Sequence, residues 1–214
     1  HPDPELPGQR FGFGNVGWAG FTGVVTGMNE QGIAISEMGY GTQKEKLPGT
    51  EPYPPETLEG EGMPFRLKRI LSYAKSLDEV GAIFRSSERT NQFVYIISDG
   101  KIPDTRAFIN TSRTVREYRL NQSPDSYPIP QYPNVLFGSH NHDDCYQLIG
   151  KHLGKIDLEI LKNEIIPSIA MKSNLQTVIY NPEKLTMKIA NANENEVAYK
   201  QIYVDFDLKD ALKH

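Results

Sequence analysis

The chain has 214 residues with 23 Lys and Arg against 27 Asp and Glu, a formal charge of −4, and its basic residues are spread along the sequence instead of forming a stripe, which argues against a nucleic-acid partner. That length is enough for one domain of average to large size with a real core. No apolar run approaches the ~18 residues of a membrane-spanning helix, and a single Cys excludes an internal disulfide.

From Arg10 to Gly41 the sequence is Gly-rich, with two β-type runs, FTGVVTGM and GIAISEM, on either side of NEQG. Alternating small and β-branched residues around an Asn-x-x-Gly turn predict a hairpin. The next stretch, KLPGTEPYPPETLEGEG, carries too much Pro and Gly for a regular element and is expected to be a surface loop or a lid. Two helices follow. MPFRLKRILSYAKS places Phe65, Ile70, Leu71 and Ala74 on one face, and the capping-box spacing from Ser76 to Glu79 opens a second helix with Val80, Ile83 and Phe84 inward.

QFVYIISDG, TRAFINTS and VREYRLN then predict three strands in meander order, punctuated by Asp99-Gly100 and Pro103. After the Pro-rich SPDSYPIPQYP, NVLFGS predicts one more buried strand. Helices are expected around 144–153 and 157–166, strands at LQTVIY and LTMKIA joined at Asn181-Pro182, and a last apolar run at VAYKQIYVDF. Strands in blocks alternating with paired helices predict an α+β fold of antiparallel sheet under helical layers.

One stretch concentrates chemistry. FGSHNHDDCY, Phe137 to Tyr146, holds two His, two Asp, an Asn and the chain's single Cys. His140 and His142 share one side of an extended strand, and Asp143, Asp144 and Cys145 could add ligands for a transition metal, with His152 downstream. The competing reading is a strand end entering a helix, with an Asp as N-cap and the acids favoured by the helix dipole. It is preferred because no second His/Cys cluster completes a metal site, and no metal or other cofactor is called for. Cys145 as a nucleophile would need a base and a lowered pKa, and its acidic neighbours act in the opposite direction.

FGNVGWAGFTGVVTGMNEQGIAISEMGYG resembles a stretch shared by the acyl-CoA:isopenicillin-N acyltransferase-like group of N-terminal nucleophile (Ntn) hydrolases and, more distantly, by the choloylglycine hydrolases. The match is centred on Gly27-Met28-Asn29-Glu30-Gln31-Gly32-Ile33-Ala34, and the later helix pair, the SHNHDD segment and the closing hairpin follow in the family's order. The resemblance implies a single domain built as a four-layer αββα sandwich, two antiparallel sheets face to face with helices outside. It also implies hydrolysis or acyl transfer at a linear amide of a small N-acyl compound. The nucleophile would be an N-terminal Cys released by self-cleavage, its own α-amino group serving as base.

Carried over residue by residue, the resemblance makes Asn141 the side-chain donor of an oxyanion hole and His142 its neighbour in the motif, with no proton-transfer role. It aligns Gly39 with a second oxyanion group, here backbone only. Trp18 is added as a candidate wall for an acyl or aromatic substrate. Asn29 reads as a turn residue, since Asn tolerates the left-handed conformation a hairpin needs.

The sequence departs from the family where it begins with His1 and where DDCYQLIGKH lacks an Arg. The expectation drawn from this is a nucleophile upstream of His1. The alternatives are a catalytically inactive Ntn-like binding or structural domain and a metal-dependent hydrolase using His140 and His142. The expected partner is a small amide or acyl substrate, and a homo-oligomer stays open.

Overall fold

The computed structural model describes residues 10–39, 57–122, 131–138 and 142–213. The predicted hairpin forms, shorter on its first arm than FTGVVTGM suggests. β1 (Phe13–Val16), β2 (Thr26–Asn29) and β3 (Ile33–Gly39) are antiparallel, and residues 17–25 form the connection between β1 and β2.

The turn is held by side-chain chemistry. Asn29 is fully buried, donates its amide to the carbonyls of Leu71 (3.0 Å) and Ala74 (2.8 Å), and accepts from the backbone of Gln31 (3.1 Å) and Ile33 (3.0 Å). Every hydrogen-bonding site that a buried amide needs filled is filled from within the chain. Asn29 is therefore structural, as expected, but for a different reason: it sits in the strand, and Gly32 takes the left-handed position at φ 75°.

β4 (Phe93–Asp99), β5 (Asp104–Asn110) and β6 (Val115–Arg119) extend the hairpin into a six-stranded antiparallel sheet in sequential order, the predicted meander. α1 (Met63–Tyr73) and α2 (Leu77–Arg85) cover one face. Ser76 accepts from the Glu79 backbone (3.2 Å), so the predicted cap starts α2. Period-two alternation sends Ile33, Ile35, Tyr95 and Ile97 toward Leu67, Ile70, Leu71 and Val80, and Phe84 stacks on Phe108 at 4.8 Å. Phe65, expected on the buried face of α1, is instead 59% exposed; Leu67 supplies the apolar contact.

The second sheet is β7 (Gln176–Asn181), β8 (Thr186–Asn191) and β9 (Val204–Asp207), again antiparallel. Its inner face, with Met187 and the half-buried Val178 and Tyr180, packs on Val16, Met28 and Ala34 of the first. A short α6 (Leu208–Ala211) seals this core with Leu208. The outer side carries a broken helix, α4 (Leu158–Ile160), a π-helical turn (Leu161–Ile165) and α5 (Ile166–Ile169); Lys162 lies over the Tyr203 ring just before β9. The layers therefore run helix, sheet, sheet, helix, the predicted α+β sandwich.

Beside the second sheet, α3 (His142–Lys151) lays Cys145 and Ile149 on Val94, Ala107 and Ile109 of the first. Over its described residues, 134–138, NVLFGS is not a strand. Residues 131–138 make one isolated bridge, Tyr132 to Val135, and Asn134 adopts a left-handed φ of 62°, which breaks any ladder, while Phe137 still reaches the core. VAYKQIYVDF likewise divides into a 3-10 turn (Ala198–Lys200) and β9. Among the described residues no helix is long and apolar enough to cross a membrane.

Candidate functional site

Topology gathers Gly39, Trp18 and the segment around Gly138 at one end of the sandwich. β3 runs antiparallel to β2, so its last residue, Gly39, lies at the same end as the 17–25 connection that carries Trp18, opposite Phe93 in the ladder. The second sheet joins there too, because Gln176 at the start of β7 donates to the Gly17 carbonyl at 3.0 Å.

The chain entering α3 reaches the same place. A Cβ on Gly138 would stand 3.1 Å from Cε of Met38 and 4.0 Å from Val94, so a glycine here lets the segment lie directly on the end of β3 and the start of β4. Three residues further on, Asn141 itself lies outside the described residues, as does His140; His142 is described only as the first residue of α3. The fold therefore brings Gly39 close to the approach to Asn141. Trp18 is 46% exposed and makes an edge-to-face pair with Phe21 at 5.8 Å. That leaves its ring free to meet a ligand and gives it a fixed partner to rest on.

Cys145 is not the nucleophile. It is buried among Val94, Ala107, Ile109 and Phe137, and burial pushes its thiol pKa up, the reverse of what thiolate chemistry needs. The metal reading loses its neighbours as well. Asp144 is exposed while Cys145 is buried, so the two cannot turn to one ion, and His152, about 15 Å along the helix from His142, has its Nε2 3.0 Å from Glu164. Among the described residues no three His, Cys, Asp or Glu are grouped to hold a metal.

One titratable residue at this end was not picked out from the sequence. Glu37 lies on β3 with its side chain on the face of Ile33 and Ile35, cross-strand from Tyr95, and burial pushes its pKa up to about 7. Tyr95 in turn has its hydroxyl pKa raised, first by burial and then by the Glu37 charge. The signal was present: in GIAISEM the alternation that buries Ile33 and Ile35 buries a carboxyl next. Glu37 faces the helical layer, whereas its neighbour Met38 faces Gly138 and Val94, so the carboxyl is separated from the Asn141 approach by the sheet.

No protein-family model matches the chain, and no curated protein matches its sequence. Among the solved structures that match its fold are an arginine-to-leucine variant and a cysteine-to-alanine variant of conjugated bile acid hydrolase from Clostridium perfringens. Each has a TM-score of 0.58 at 14% identity, over 92% of this chain and 76% of the other. At that identity the likeness is one of fold: it sets the two-sheet α+β sandwich beside that of a bile acid hydrolase.

Proposed function

We propose that this chain is the body of an Ntn-type hydrolase or acyltransferase acting on the linear amide bond of a small N-acyl compound. The observation that carries the reading is the convergence at one end of a bile-acid-hydrolase-like sandwich of Gly39, Trp18 and the segment entering Asn141. The hairpin motif Gly27 to Ala34 points to the same class from the sequence side.

In this reading the nucleophile is an N-terminal Cys encoded ahead of His1. Its thiolate attacks the amide carbonyl, its α-amino group carries the proton to the leaving amine, and water or a second amine then releases the acyl group. Asn141 donates its side-chain amide to the oxyanion as the carbonyl carbon becomes tetrahedral, a contribution on the order of 3 kcal/mol. The Gly39 backbone borders the same position, and Trp18 and His142 flank the substrate. No cofactor takes part.

The burial of Cys145 also favours a second reading, a catalytically silent Ntn-like binding domain, because the one thiol in these residues cannot serve. The test is expression of the complete open reading frame followed by intact mass, N-terminal sequencing and an amidase screen. A mature N-terminus beginning with Cys and an iodoacetamide-sensitive amidase support the enzyme; an unprocessed chain with no amidase activity supports the silent domain.

A further inference from the structure

On the outer side of the second sheet the broken helix does not close down on β8 and β9. It leaves a cavity of about 540 Å³, within the size range of small-molecule sites. Three ammonium groups line it, Lys162 from the π-helical turn, Lys188 from β8 and Lys200 from the 3-10 turn, and among the described residues no carboxylate does. Tyr199 and Tyr203 supply flat aromatic walls.

The irregular helix builds this wall. Pro167 has no N–H to give, and its ring cannot pack against the carbonyl four residues back, that of Asn163. The helix opens into a π turn over Leu161–Ile165, a distortion that recurs at functional sites, and Lys162, Asn163 and Pro167 all line the cavity. Lys162 stands 5.5 Å over the ring of Tyr203. The Tyr203 hydroxyl is buried beside the hydroxyl of Thr177, which gives its own proton to Asn174 at 2.8 Å.

The lysines have carboxylate partners outside the cavity. Lys162 is a loose 3.8 Å from Glu159, Lys200 is 3.0 Å from Glu196, and Lys188 is paired with Asp205. The long Lys162 pair and the exposed Lys200 pair hold weakly, so these two lysines can turn to an incoming anion at little cost, while Lys188 stays on Asp205.

We propose that this cavity binds a small organic anion, a phosphate or carboxylate carried on a planar body, with Lys162, Lys188 and Lys200 meeting the charge and Tyr199 and Tyr203 the ring. Recognition follows from chemistry already present: ammonium groups as point charges for the anion and aromatic faces for the body. The site is separate from the amide chemistry proposed above and stands or falls without it.

The test is calorimetric titration of the whole chain with phenyl phosphate and with benzoate, using phenol as the uncharged control. Either anion is expected to bind with a Kd on the order of 1 mM or tighter, weakening as salt rises, with phenol at least about tenfold weaker. The double substitution Lys162→Gln with Lys200→Gln, at one half-buried and one exposed side chain and with the melting temperature measured alongside, is expected to weaken the anion by about tenfold or more. Absence of binding by both anions, or equal binding of phenol and anion, overturns the proposal. So does an affinity unchanged in the double variant.

Discussion

Glu37 offers the sharpest test of the electrostatics, through Glu37→Gln. In the fold its pKa is raised from 4.5 to about 7 by burial. A raised acid pKa means that the folded state holds the proton more tightly than the unfolded chain, so stability falls as pH rises between those two values and is level outside them. At about 1.4 kcal/mol per unit the shift is worth roughly 3 kcal/mol at most, and about 2 kcal/mol after allowing for the partial exposure of the side chain. Gln keeps the shape and cannot ionise. The variant should therefore gain about 2 kcal/mol over the parent above pH 7, or about 4–8 °C in melting temperature for a chain of this length. Below pH 4.5 that gain should vanish. Thermal melts of both proteins from pH 4 to 8.5 provide the comparison. A melting difference that does not change across the range would show that Glu37 is solvated and that burial does not govern it.

Replacing Asn29 by Ala removes four hydrogen bonds and strands the buried carbonyls of Leu71 and Ala74; a loss of about 3 kcal/mol or more in a urea melt is expected, and a loss below 1 would contradict the structural role. In the complete protein, Asn141→Ala should lower kcat by about 10²–10³ with little change in KM, whereas a pure rise in KM would assign Asn141 to substrate binding alone. Cys145→Ala should leave thiol-dependent activity in place and cost about 1 kcal/mol of stability as a small cavity; loss of the covalent intermediate instead would return Cys145 to the mechanism. Ser76→Ala should cost about 1 kcal/mol through the lost α2 cap, measured by denaturant melts against wild type.

What could be read in advance was what repeats with a short period or is signalled by one side chain. The meander β4–β6 follows from alternating apolar residues punctuated by Asp99-Gly100 and Pro103, and α2 from a cap and three inward residues, so each is decided within about ten positions. Where long-range packing decides, local pattern misleads. NVLFGS has strand composition, yet Asn134 turns left-handed and the segment instead lays Phe137 across β4 and β5. Phe65 satisfies the helical spacing, but Leu67 wins the contact with the sheet. The same limit applies to Asn29, whose partners lie more than forty residues away on α1, a contact that turn chemistry alone could not foresee. The candidate site divides along the same line. Gly39 and Asn141 were nominated by the family resemblance and Trp18 as an aromatic wall, but the common position of Gly39, Trp18 and the segment around Gly138 depends on the antiparallel course of β3 and on a glycine at 138 small enough to lie against Met38. Glu37 escaped because a carboxyl on the buried side of a strand looks, residue by residue, like any charged position; only its register with Ile33 and Ile35 marks it. Motifs in this chain therefore nominate residues, while register and small side chains decide which of them meet.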